Sequence, residues 1–427
     1  MQRSLLTRRN VLTHLATGVC GWSTASWLPV LAEDAKQAGQ KPKSVILVWL
    51  NGGPATIDLW DLKPGHANGG PFQEIETQVA GTRISEHLPL LAGVANDFSL
   101  VRSMSTREGD HSRATIVSQT GYTPQGAIQF PALGSLVAHE FNLSNDIPSY
   151  VQIGGRQVVA GGGFLGPRYA PFVVGGRDRR QAQAAGAATL QVDDLMPGSE
   201  SQQSARLALE TELLSLSRLG ESPVVDALSA ARDRALRLMN PKAASAFRLD
   251  EEAAEVREGY GTAAFGQRCL LARRLVERGV SFVEVELDGW DTHSNNFERV
   301  KELSLQLDRG LATLLKDLRE RGLLEETLVV CQGEFGRTPR INGQSGRDHW
   351  PTTWSVLLSG AGIRGGRVVG STSEDGMAVA SEPTRTADLL ATVFRGVGLD
   401  PRKQNMSNVG RPIRLADPVG NAIEELL

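Results

Sequence analysis

The sequence predicts an α/β protein with a mainly parallel central sheet and helices on both faces. Three observations predict it. Ser44–Leu50 and Thr327–Cys331 are unbroken apolar runs, as expected of strands covered on both sides. From about residue 260 onward, helical and strand patterns alternate, the signature of βαβ units. Acidic and imidazole side chains gather just after the strand-like runs, where open α/β sheets bind ligands.

The elements follow in order. Ser44–Leu50 runs into the turn Asn51-Gly52-Gly53-Pro54. Phe98–Val101 reads as a second strand. Asp110 is placed to cap a helix from His111 to about Gln119, ended by Gly121. Pro148–Ile153 is another short strand. Repeated glycines over 154–205 predict an irregular insertion, followed by helices over 206–219 and 224–239. A helix over Ala263–Arg278 carries Phe265, Cys269, Ala272 and Val276 on one stripe. Strand Val280–Leu287 comes next, then a long helix over Phe297–Arg321. Its apolar face is Val300, Leu303, Leu307, Leu311, Leu314 and Leu318. Strands Thr327–Cys331 and Trp354–Leu358 and a helix over Thr384–Val397 complete the pattern.

The chain has 427 residues, enough for one large α/β domain or two smaller ones. A formal net charge of -3 and an aromatic content of 5% give no basis for nucleic-acid binding. The N-terminus reads as a targeting segment. Thr7-Arg8-Arg9-Asn10-Val11-Leu12 has the twin-arginine form, and a weakly apolar run to Leu31 follows it. The expected organisation is a signal peptide over 1–32, a linker over 33–42 and an α/β domain over 43–427 with an insertion at about 154–250. The expected location is the periplasm or another extracytoplasmic compartment. No later stretch reaches the roughly 20 apolar residues of a membrane span. Cys269 and Cys331 read as buried thiols, with one long-range disulfide as the alternative.

Three segments concentrate the chemistry: Gly289-Trp290-Asp291-Thr292-His293, Gly333-Glu334-Phe335-Gly336-Arg337 and Gly346-Arg347-Asp348-His349-Trp350. Carboxylates and imidazoles gathered on loops suit a divalent metal, which satisfies groups that are costly to bury unpaired. Asp291 and His293 can meet one ion if the backbone bends between them; otherwise Asp291 caps the next segment. Glu334 follows a strand end and is either a metal or acid/base group or a partner of Arg337 or Arg340. Arg337 is either a fork for an oxyanion or the structural partner of Glu334. His349 is a ligand or an exposed loop residue. His111 and Ser112 stand at a helix start, where backbone N–H groups favour an anion and a hydroxyl can serve as nucleophile. Asn51 ends the first strand and Asp58 lies seven residues on; either can reach such a site. His66, His87 and His139 have no constellation around them. There is no P-loop, GxGxxG fingerprint, CxxC pair or GxSxG elbow.

Over nearly its whole length, and through these segments together with Leu50-Asn51-Gly52-Gly53-Pro54 and Asp110-His111-Ser112, the chain resembles a family of exported bacterial proteins. That family is a domain of unknown function in the alkaline phosphatase/sulfatase superfamily. The resemblance implies an alkaline-phosphatase-like fold. It puts Asn51 where the first carboxylate stands and Ser112, or His111, near the nucleophile. Asp291 and His293 fall on a metal pair and His349 on the final metal histidine. Glu334 falls where an Asp-His pair ends its strand, with Phe335 replacing the histidine. The expected protein is an exported metal-dependent hydrolase of phosphate or sulfate esters, small-molecule or polysaccharide. Asp291, His293 and His349 bind the main ion, with Glu334 and Asn51 at a second or weaker position. Arg337 holds the anionic group. The catalytic set is then Ser112, His111, Glu334 and Arg337. Zinc is the first expectation for the metal, with calcium and magnesium as alternatives. The competing reading is a non-catalytic metal- or glycan-binding protein on the same fold.

Overall fold

The structure is a computed structural model that describes residues 43–124, 126–141, 146–155, 160–175 and 240–427, with Ser229, Arg232, Arg237 and Leu238. The expected signal peptide, linker and helix over 206–219 lie outside the described residues, as does nearly all of the helix expected over 224–239.

Nine strands form the central sheet among the described residues. They are β1 (Ser44–Asn51), β2 (Phe98–Ser105), β3 (Tyr150–Ile153), β4 (Phe172–Val174), β5 (Phe282–Asp288), β6 (Thr327–Gln332), β7 (Trp354–Ser359), β8 (Val368–Val369) and β9 (Thr384–Arg385). The spatial order is β8-β2-β7-β6-β1-β5-β3-β4, and β9 pairs with β2. All pairings are parallel except those of β7, which runs antiparallel to β2 and β6. The main helices are α1 (His111–Thr120), α2 (Leu133–Phe141), α3 (Ala264–Glu277), α4 (Asn296–Glu320) and α5 (Thr386–Gly396).

Alternation along β1 shows why it reads as a continuous apolar run. Ile46, Val48 and Leu50 point into one core, with α3 and α4. Val45, Leu47 and Trp49 point into the other, with α2 and α5. Both faces are covered, so no position of the strand needs a polar residue. On α4, Val300, Leu307, Leu311, Leu314 and Leu318 are fully buried. Each such side chain contributes about 1.5–3 kcal/mol of burial, so this stripe anchors the helix. Cys269 and Cys331 are free and buried, and burial pushes both thiols up.

One segment departs from expectation. Phe172–Val174, inside the stretch predicted to be irregular, pairs in parallel with β3 and becomes the edge strand beyond it. Three β-forming residues between glycines and prolines are too few for an alternation to register in sequence. Among the described residues no helix is long and apolar enough to cross a membrane.

Candidate metal centre

The parallel core strands β1, β5 and β6 end side by side. Asn51 is in register with Asp288, and Trp49 with both Glu286 and Gln332. Their carboxyl ends therefore release three loops at one place: Gly52-Gly53, Gly289–Asn295 and Gly333–Phe335. The antiparallel β7 begins at the same end, so the segment before it, Arg347–Trp350, arrives there too. That segment is held by a two-residue ribbon in which His349 pairs with Arg337 and Trp350 with Gly336. The loop after β2 brings the start of α1. Asp110 caps this helix, its carboxylate accepting from the Arg113 N–H at 3.0 Å, and Gly121 closes it in the left-handed region at φ 76°.

The turn after β1 requires glycine. Gly52 has φ 112°, and a Cβ there would stand 2.5 Å from the Asp291 backbone nitrogen. Gly53 has φ 71°, and its Cβ would enter the Phe335 ring at 2.7 Å. Close approach of this turn to the Asp291 and Phe335 loops is what gathers the site.

The gathered side chains centre on Asp291. Its Oδ1 lies 3.5 Å from His111 Nε2, 3.1 Å from His293 Nε2 and 3.6 Å from His349 Nε2. His111, Asp291 and His349 each offer an atom within 4.8 Å of the other two. His293 joins through Asp291 and through His349, whose Nε2 is 3.0 Å from its own. Phe335, fully buried, forms an apolar floor 4.9 Å from the His111 ring and 4.8 Å from that of His349.

Each imidazole is fixed by its other nitrogen. His111 Nδ1 is 2.6 Å from Glu334 Oε1, His293 Nδ1 is 2.9 Å from Asp348 Oδ1, and His349 Nδ1 is 2.8 Å from the Gly109 carbonyl. Carboxylates and a carbonyl only accept, so every Nδ1 donates. In the neutral ring the Nε2 lone pair then points at the cluster. This is the arrangement of metal-ligating histidines, oriented by an acceptor behind each ring. His111 Nε2 is buried with no hydrogen-bond partner, and two Nε2 lone pairs face each other across 3.0 Å. A cation relieves both.

The donor set is three nitrogens and one carboxylate oxygen, which suits zinc better than calcium or magnesium, both of which prefer all-oxygen shells. Ligands bonded at roughly 2.0–2.1 Å to a tetrahedral zinc stand about 3.3 Å apart. The separations around Asp291 bracket that value.

Electrostatics act differently on each donor. The Glu334 hydrogen bond raises His111 above the usual imidazole range, against burial that lowers it. Burial pushes the Asp291 carboxyl up, but the hydrogen bond and charge of Arg337, with His111 and His293, outweigh it and hold Asp291 below the ordinary carboxylate range. Burial, aided by the nearby cations, lowers His349.

The expected site residues fall into distinct places. Asp291, His293, His349 and His111 come together. Glu334, 1% exposed, stands behind His111: its Oε1 lies against the ring and also accepts from the Gly52 N–H at 3.1 Å, while its Oε2 is buried with no hydrogen-bond partner. Asn51 turns away: its Nδ2 donates to Asp288 at 2.8 Å and its Oδ1 accepts from Trp49 at 3.4 Å. Ser112 is exposed at the next position of α1, and it is the His111 ring that enters the cluster. Arg337 is fully buried. It pairs with Asp291 and donates to the carbonyls of Gly52, Gly53 and Arg347. With its donors so committed it positions Asp291, and the sequence expectation that it holds an anionic group meets no free face.

Sequence reasoning did not single out Asp348 as the acceptor behind His293, although it lies beside His349. It also had no access to the Gly109 carbonyl, since a backbone acceptor carries no residue-type signal.

At its strand ends this α/β fold gathers a nitrogen-rich cluster that could hold a metal ion. The chain belongs to the family described as "Protein of unknown function (DUF1501)", matched over residues 42–427. Several solved structures are similar in fold. The PsFucS1 sulfatase from Pseudoalteromonas sp. is 13% identical, with 88% of this chain and 72% of that chain covered at a TM-score of 0.41. A protein in the alkaline phosphatase superfamily from Vibrio parahaemolyticus is 10% identical, with 84% and 67% covered at 0.40. The C-terminal periplasmic domain of EcEptC from Escherichia coli, in complex with Zn, is 10% identical, with 90% and 88% covered at 0.39. No curated protein matches the chain.

Proposed function

We propose that the chain is an exported hydrolase of phosphate or sulfate esters that works with one divalent cation, zinc by its donor set. The observation that carries the reading is the set of three imidazoles, each anchored through Nδ1, with their Nε2 atoms around Asp291 Oδ1. His111, His293, His349 and Asp291 would hold the ion. A divalent cation in such a site polarises an ester oxygen and makes a water nucleophilic near neutral pH. Arg337 keeps Asp291 ionised and aimed. Glu334 and Asp348 fix the rings of His111 and His293. The cluster is open: the Asp291 side chain is 49% exposed and that of His293 46%, so an ester can approach from solvent. The ester class itself rests on the resemblance of the sequence motifs. The twin-arginine form at Arg8-Arg9 supports export to the periplasm or another extracytoplasmic compartment.

Water is the attacker in this reading, because Ser112 is exposed beside the cluster and not in it. A second reading, a metal- or glycan-binding protein without turnover, is favoured by Phe335 on the floor and by Asn51 turned toward Asp288. Metal analysis of the purified protein, with turnover of an aryl phosphate and an aryl sulfate, tests both. The enzyme reading expects about one zinc per chain and turnover that survives Ser112→Ala but not His293→Ala. Bound metal with no turnover of either ester supports the binding protein. Protein that folds fully and binds no metal rejects the enzyme reading and the metal-binding form of the second.

A further inference from the structure

Beneath the cluster lies a buried polar hub that touches no ligand. Asp58, in the turn after β1, has no exposed surface, and neither do Arg347, Asn296 and Thr292. Arg347 grips Asp58 with two donors: Nη2 to Oδ1 at 2.7 Å and Nε to Oδ2 at 2.8 Å. Asn296 Nδ2 donates to the same Oδ2 at 2.7 Å, and Asn296 Oδ1 accepts from the Thr292 hydroxyl at 2.6 Å. The Arg347 backbone N–H then donates to the Thr292 carbonyl at 3.0 Å, which closes the circuit.

The sequence positions give this circuit its meaning. Thr292 sits between Asp291 and His293. Arg347 is two residues before His349. Asn296 begins α4, and the remaining Arg347 donors fasten it to the carbonyls of Thr338, Pro339 and Asn68. The two loops that supply three of the four clustered side chains are thus pinned to one carboxylate. A buried ion pair in which the guanidinium uses all its donors and the carboxylate accepts three hydrogen bonds is rigid, because each alternative geometry leaves a charge unpaired in a low-dielectric interior.

We propose that Asp58 is the positioning residue of the cation site. Through Arg347 and Asn296 it sets the distance between the Asp291–His293 pair and His349, and so the geometry and tightness with which a divalent cation is held. This rests on the cation-site reading above. Asp58 does not touch the ion; it acts through the loops. Supporting residues of this kind change metal affinity by roughly 10–100-fold when altered.

The test uses the full folded chain and three variants: Asp58→Asn, Arg347→Lys and Thr292→Val. Thr292→Val keeps the ion pair and shape, so it covers the case in which the first two fail to fold; circular dichroism checks folding. Zinc affinity is measured by chelator competition, and the visible spectrum of the cobalt-substituted protein reports ligand geometry, which loss of stability alone does not change. The expected result in every folded variant is at least a tenfold weaker affinity and a shifted cobalt spectrum, with Thr292→Ser restoring both. Wild-type affinity and spectrum in the folded variants overturn the proposal. Crystals of Thr292→Val grown without metal separate the two claims. If the wild-type chain binds no cation, the functional reading falls, while the His293 Nε2 to His349 Nε2 separation, compared with that in wild-type crystals grown the same way, still decides the positioning role: wider in the variant supports it, unchanged refutes it.

Discussion

Arg337 and Asp291 form an ion pair in which the guanidinium is fully buried and the carboxylate is half-exposed. The arginine faces inward onto backbone carbonyls and the aspartate faces outward into the histidine cluster. The pair therefore connects the rigid turn after β1 with the open side of the site.

Replacing Arg337 by Met should cost both stability and metal affinity. Three carbonyls, of Gly52, Gly53 and Arg347, lose donors, which predicts a loss of about 3 kcal/mol. Urea unfolding measures it. A variant as stable as the wild type would show that these carbonyls are satisfied some other way.

Glu334→Gln should keep the fold and loosen the site. The amide oxygen can still accept from His111, but without charge, so zinc affinity should fall roughly 10–100-fold. In the metal-free protein the His111 titration, raised by the Glu334 hydrogen bond, should move down. NMR of the imidazole across pH reads this directly; an unmoved titration contradicts the role given to Glu334.

Acid stability should depend on Glu140. Its carboxylate is covered, with His139 Nδ1 at 2.9 Å, Asn405 Nδ2 at 2.9 Å and Lys403 Nζ at 2.6 Å. Burial pushes the group up, but these three partners pull it down to about 2. An unfolded glutamate titrates near about 4.3. Its contribution is thus complete above that value and is lost as pH falls from there to about 2, amounting to about 1–3 kcal/mol. Glu140→Gln should be less stable at pH 7 and should flatten the acid limb of the stability profile. Parallel profiles for the two proteins would remove Glu140 as the cause.

Export should depend on the arginine pair near the N-terminus. Arg8→Lys with Arg9→Lys should leave precursor in the cytoplasm, because a receptor reads the pair. Fractionation followed by immunoblotting checks this, and unchanged export would sink the targeting claim.

Much of the scaffold is legible in the sequence because burial on both faces writes itself into β1 and β6 as unbroken apolar runs. The α4 stripe and the Asp110 and Gly121 ends of α1 are equally local signals. Phe172–Val174 is too short to carry one. At the site, Asp291, His293 and His349 stand out as chemistry-bearing residues at strand ends. Whether His111 or Ser112 enters the cluster is set by the rotation of α1, which adjacent positions in a sequence do not reveal. The Asp58–Arg347 pair joins residues 289 positions apart. Asp58 reads in sequence as a residue that can reach the site, but nothing local shows that it pairs with Arg347 instead, or marks Arg347 as more than a loop cation.

The four clustered side chains come from the start of α1, from the loop after β5 and from the segment before β7. A cation shared among them would tie residue 111 to residue 349 across most of the domain. It would act as a reversible cross-link, closing a long loop whose entropic cost grows only slowly with length. Because the unfolded chain cannot present this donor set, occupancy adds to folding free energy as RT ln(1 + [L]/Kd). The ion would then report on the integrity of the whole sheet, and an incompletely folded chain would be unable to retain it.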